Sequence, residues 1–170
     1  MTNTNTRITV FLNTWGNYNE NGAEGGFWIN LPCDIDETLE KLACNTEEEI
    51  NEMEVFINDF ETDFYNLEIS EYTDIYELNE LAEQLEQFDD EEIEKLKAII
   101  EYNGGTLEDC IDCMDSYEFI EGETLSNYAA ELVGEMGLPE FAEMYFDYEA
   151  FERDLSFDGY HETENGLLIG

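Results

Sequence analysis

Between Glu71 and Glu86 the sequence reads "EYTDIYELNELAEQLE", with an acid at Glu71, Asp74, Glu77, Glu80, Glu83 and Glu86 and no Lys or Arg among them. Ile75, Leu78, Leu81, Leu85 and Phe88 recur at three- and four-residue spacing. The segment is therefore predicted as an amphipathic helix with one buried stripe. Opposite charges three or four residues apart on a helix stabilise it by ~0.2–0.5 kcal/mol, and like charges cost about as much. A ladder of one sign is mildly destabilising, so packing of the apolar stripe has to hold the helix. Taken alone, the ladder reads as a solvated face.

The imbalance runs through the whole chain. Its 170 residues carry 45 Asp and Glu against 5 Lys and Arg, a formal charge of −40. Self-repulsion of this size opposes compaction and often accompanies disorder. Disordered chains are poor in aromatics, however, and this one has 11 Phe, 10 Tyr and 2 Trp. The expectation is a folded protein of small units that keep their charges apart. The acids are unevenly placed: only Glu20 and Glu24 precede residue 34. A polyanion repels nucleic acid and anionic membrane surfaces, so its natural partners are basic proteins or metal ions. No apolar run reaches the ~18 residues a membrane-spanning helix needs. The opening "MTNTNTRITVFLNTW" has one basic residue and too short an apolar stretch for a secretory signal, which makes a cytoplasmic protein the expectation.

The order of elements predicts an α+β fold. "ITVFL" (8–12) reads as a strand, "TWGNYNENGAEGG" as a Gly- and Asn-rich loop, and "FWINL" as a second strand. Asp34 or Asp36 can cap a short helix carrying Ile35, Leu39 and Leu42, and Thr46 with Glu49 forms a capping-box pattern ahead of "TEEEINEM". "EVFINDF" (54–60) alternates like a third strand. From Asp74 to Tyr102 the pattern is helical in two pieces broken near "QFDDEE", the second capped by Asp89 or Asp90 and ending at Gly104–Gly105. A short helix from Thr106, a strand at "SYEFI", a helix from Thr124 to Met136 and a helical "PEFAEMYFDYEAFERDL" follow. The tail "YHETENGLLIG" carries an Asn-Gly turn and is predicted to close a hairpin. The pattern offers breaks near residues 69 and 104.

The residue types that carry catalysis or bind metals offer little. "CIDC" at 110–113 has no second C-x-x-C, Cys33 and Cys44 lie far away in sequence, and His161 is the sole histidine. Cys110 shares an apolar stripe with Leu107, Ile111 and Met114, where a reduced core thiol is the usual reading. "DIDETLEKL" starts like a calcium loop but lacks the glycine and continues as a helix. Neither phosphate-binding glycine motif is present. Carboxylate pairs are so abundant that none stands out as a general acid and base. No cofactor and no catalytic residue is expected.

What remains is the charge. Duplex DNA presents one negative charge per ~1.7 Å of axis, so forty excess charges correspond to roughly 20 base pairs, or about 70 Å of duplex. "VFLNTWGNYNENGAEGGFWINLP", "ISEYTDIYELNELAEQL" and "YFDYEAFERDLSFDG" resemble, in this order, segments of the ArdA antirestriction proteins carried by conjugative elements and phages. The resemblance runs from about residue 8 to 168. Tyr18, Asn19, Gly22, Gly26 and Trp28 carry its first part, and Asp147, Tyr148, Ala150, Arg153, Asp154 and Leu155 its last. The Gly-rich "NGAEGG" at 21–26 departs from the family pattern and bears on the shape of the first loop.

The resemblance implies a DNA mimic that inhibits type I restriction-modification enzymes in the bacterial cytoplasm. It also implies an elongated chain of three small domains that forms a homodimer through the last one. With breaks near 69 and 104 these are an N-terminal α+β domain (1–68), a central helical domain (69–103) and a C-terminal α+β domain (104–170). Candidate residues of a mimicking surface are Glu71, Asp74, Glu77, Glu80, Glu83, Glu86, Asp90, Glu91, Glu94, Glu101, Asp109, Asp112 and Asp115. Tyr128, Phe146, Tyr148 and Phe151 are candidate core or dimer contacts, Tyr18 and Trp28 are expected to pack the N-terminal sheet, and Arg153 to pair with Asp147, Glu149 or Asp154. Two other readings fit the composition: an acidic chaperone or adaptor for basic proteins, and an ordinary protein adapted to high salt.

Overall fold

β1 (Ile8–Thr14), β2 (Phe27–Leu31) and β3 (Val55–Thr62) form an antiparallel sheet in the order β2-β1-β3. A computed structural model describes residues 7–170 of the chain. On β1, Ile8, Val10 and Leu12 are fully buried at alternate positions, the period of a half-buried strand. A register shift between Phe11 and Leu12 interrupts the β1–β3 ladder. Helices α2 (Ile35–Thr46) and α3 (Ile75–Glu86) pack on this sheet through Leu42, Leu78, Leu81 and Leu85.

The loop predicted after β1 is instead a helix, α1 (Trp15–Asn21). Asn and Gly are weak helix formers, but local propensity is overridden here by tertiary bonds. The Thr14 hydroxyl caps the Asn17 amide, and the Glu48 carboxylate accepts from both that amide (3.1 Å) and the Thr14 hydroxyl. Glu48 thus sits at the electropositive start of α1. α1 ends at Gly22, whose φ of 65° suits glycine. Gly26 is required for another reason. A Cβ there would lie 2.6 Å from the Phe11 ring and 2.7 Å from the Leu12 carbonyl oxygen. Within the Gly-rich stretch, Gly22 therefore ends a helix and Gly26 lets β2 approach β1.

A second expectation also fails. Thr46 starts no helix; it is the last residue of α2, and its hydroxyl donates to the Leu42 carbonyl (3.0 Å). Asp34 caps α2 at its start, as one of the two candidates expected.

The chain divides into two compact units between Phe88 and Asp89, inside the stretch read from sequence as a central helical domain. α3 groups with the N-terminal sheet and α4 (Asp90–Asn103) with the C-terminal unit. In that unit β4 (Glu118–Glu121), β5 (Tyr160–Glu162) and β6 (Gly166–Ile169) form an antiparallel sheet in the order β4-β6-β5. Leu167 and Leu168, adjacent on the central strand and so on opposite faces, are both fully buried. α4 packs against β4, β6 and α5 (Leu107–Asp112) through Ile93, Leu96, Ile99 and Ile100. Its Asp89 cap forms a complete capping box with Glu92. α6 (Leu125–Glu135) lies against α8 (Tyr148–Phe157). The continuous helix expected from Pro139 is broken into α7 (Glu140–Glu143) and α8, because the Asp147 carboxylate accepts from the Ala150 amide and begins a new helix. The tail closes the β5–β6 hairpin as expected, but through residues 163–165: Gly166 is already in β6, and neither it nor Asn165 has the positive φ of an Asn-Gly turn.

Candidate functional site

No carboxylate among the described residues is buried; Glu48, Glu94, Glu123 and Glu152 are half-buried and every other Asp and Glu is exposed. Cation neutralisation is sparse. Lys41 pairs with Glu37 (2.8 Å), Lys97 with Glu94 (2.8 Å), and Arg153 lies 3.9 Å from Asp154, one of its three expected partners.

The acids of the ladder have unequal duties. Glu71, Asp74, Glu77, Glu80, Glu83 and Glu86 are all exposed, while Ile75, Leu78, Leu81 and Leu85 between them are buried. Asp74 caps α3 by accepting from the amides of Tyr76 (2.7 Å) and Glu77 (3.4 Å). Glu83 accepts from Asn79 (3.3 Å). Among the described residues Glu77, Glu80 and Glu86 form no side-chain hydrogen bond or ion pair, so their charge is held only by the helix. Asn79 itself is buried, and its carbonyl oxygen accepts from the Cys33 amide at 2.9 Å, fixing α3 to the chain after β2. Sequence reasoning missed it. The signal was a short polar residue on the apolar side of an otherwise regular stripe.

In the C-terminal unit Asp90, Glu91, Glu101, Asp109, Asp112 and Asp115 are exposed. Glu94 differs from the other candidates. It is half-buried, pairs with Lys97, and accepts from the Asn165 amide group (2.5 Å), which ties α4 to the β5–β6 turn. Glu101 accepts from the Glu164 amide at 3.0 Å. Both have a structural part to play beside any surface role.

The aromatic candidates pack within their own units. Phe146 makes edge contacts with Tyr148 (5.1 Å) and Phe151 (5.5 Å), and Tyr128 lies 5.4 Å from Tyr160. All four candidates are half-buried. Burial is the first cause that pushes the Tyr128 phenol above its ordinary pKa. Phe141, Met144 and Tyr145 are far more exposed, at 74%, 77% and 79%, and the rings of Phe141 and Tyr145 lie 5.8 Å apart. Tyr18 contacts Trp15 and Phe56, and Trp28 contacts Phe11, all within the N-terminal unit. Cys110 is buried in the core with Leu107 and Met114.

Two small α+β units whose acids all reach the surface define a polyanionic protein with its charge held on regular elements. A family model described as Antirestriction protein (ArdA) matches residues 10–168. The chain belongs to this antirestriction family. Comparison with curated proteins finds no match. Several residues that carry the family resemblance are explained by the fold: Gly26 by the close approach of β1, Asp147 by capping α8, and Leu155 by burial. No helix among the described residues is long and apolar enough to cross a membrane.

Proposed function

We propose that the protein inhibits restriction by mimicking DNA: its exposed carboxylates occupy the DNA-binding groove of a type I restriction-modification enzyme. The observation that carries this reading is the placement of the acids. On α3 and α4 all of them but Glu94 are exposed around buried Leu and Ile stripes, and few are neutralised. A chain that only needed solubility would gain from mixed charges, because alternating signs stabilise helices. Retaining one sign costs stability and is explained by a cationic partner. Electrostatic complementarity of this kind steers association and excludes wrong partners.

The mode of action is occupancy rather than catalysis, without cofactor or bound nucleic acid. In the active form two copies associate through the C-terminal unit, where Phe141, Met144 and Tyr145 offer exposed apolar surface. Such an association doubles the number of carboxylates presented on one particle.

The direct test adds purified protein to a type I enzyme bound to labelled duplex. Release of the duplex as protein is added is the expected result. Retention of the duplex with the protein in excess contradicts the reading.

A further inference from the structure

In the N-terminal unit a cleft of about 470 Å³ opens beside β3. Trp15, Tyr72 and Tyr76 line it together with Glu54, Glu71 and Asp74, and no Lys, Arg or His is among its lining residues. The Trp15 ring is fixed in place, stacked on Phe56 at 4.0 Å with the planes 11° apart. Tyr76 is held through its hydroxyl by Asp36 (2.8 Å), and Tyr72 is 84% exposed. The carboxylate of Glu54 forms no side-chain hydrogen bond or ion pair among the described residues.

We propose that this cleft takes the side chain of an arginine presented by a basic protein partner. Aromatic faces attract cations through their quadrupole, and neighbouring carboxylates add Coulomb attraction and acceptors. Between the two biological cations the site favours arginine. A guanidinium is planar, weakly hydrated and stacks on rings while its N–H groups reach carboxylates, whereas an ammonium is a strongly hydrated point charge. The proposal rests on the reading of the protein as a ligand for a basic groove. It gives that reading a specific anchor: one pocket for one side chain, within a surface otherwise made of spread charge. Such anchors set register, which a diffuse field does not.

The test is a nuclear magnetic resonance titration of the whole protein with N-acetyl-arginine amide, with N-acetyl-citrulline amide as the uncharged analogue of the same shape. The expected result is a saturable shift centred on the Trp15 indole N–H and the amides of residues 71–76, absent with the citrulline compound. Tyr72→Ala and Glu54→Gln, both at exposed positions, should each weaken arginine binding by about threefold or more, the size of an exposed cation–π or ion-pair contact. Equal shifts with citrulline, shifts spread along α3 with none at Trp15, or binding unchanged by both variants would overturn the proposal. The two readings fail separately. If arginine does not bind the cleft but the protein still releases duplex from the restriction enzyme, the cleft is wrong and the mimicry stands. If arginine binds and no duplex is released, the cleft stands and the mimicry is wrong.

Discussion

The hydroxyl of Tyr76, in the first turn of α3, donates to the Asp36 carboxylate in the first turn of α2 at 2.8 Å. This bond is the first cause that raises the Tyr76 pKa, followed by burial and by the charges of Asp36 and Asp74. The phenol is thereby kept neutral as the pH rises. A group whose pKa is higher folded than unfolded adds stability below its unfolded value, about 10 for tyrosine, and loses it as pH climbs through the folded value. Melting temperature should therefore fall between pH 9 and 11. Tyr76→Phe should melt lower at pH 8 and show a shallower alkaline decline, with Tyr72 raised by Glu71, Lys41 raised by Glu37, and Tyr128 and Cys110 raised by burial supplying what remains. An alkaline slope unchanged by Tyr76→Phe would remove this account.

Asn79 and Glu80 are neighbours with opposite expectations. Asn79→Ala leaves the part-buried Cys33 amide without its acceptor, which should cost about 1 kcal/mol. Glu80→Gln removes one member of a like-charge ladder and should be neutral or slightly stabilising. Urea unfolding of the two variants gives the comparison. The same logic sorts the rest of the ladder. Asp74 should be neutralised as Asn, which keeps an N-cap, because Asp74→Ala loses about 1 kcal/mol of capping.

How much of this was readable beforehand depended on how locally each feature is determined. α3 and α4 were legible because apolar period, caps and breaks all lie within the segment: Asp74 and Asp89 cap, and Gly104 ends the second helix. α1 was not, because the group that steadies its first turn, Glu48, is more than thirty residues downstream. The end of α2 was misplaced for a related reason. "TEEE" after Thr46 has the form of a capping box, yet the buried Leu42 and Ala43 extend the preceding stripe and carry the helix through Thr46. Exposure of the ladder acids followed from their period. The cleft beside β3 did not, since Trp15, Glu54 and Tyr72 are assembled only by the fold.

Salt should stabilise the protein. Forty excess negative charges repel one another, and the screening length shortens from about 30 Å at 0.01 M to about 10 Å at 0.1 M salt. The melting temperature at pH 8 is expected to rise over this range. A fall would mean that attractive ion pairs, not repulsion, dominate the surface.

Association is tested at the exposed rings. Light scattering at micromolar concentration should give a dimer for the natural sequence and a monomer for the double change Phe141→Ser and Tyr145→Ser, both at exposed positions. A natural chain that scatters as a monomer would contradict the proposed assembly.

The most direct test of the mimicry is serial neutralisation of Asp74, as Asn, and of Glu77, Glu80 and Glu83, as Gln, read as release of duplex from a type I restriction enzyme. Exposed ion pairs are individually worth ~0–1 kcal/mol. Each single change should therefore leave release nearly intact, and the four together should weaken it stepwise. Release should also decline steeply with added salt. Loss of all activity on changing one acid, or release unaffected by removing all four charges, would contradict a field spread along the helix.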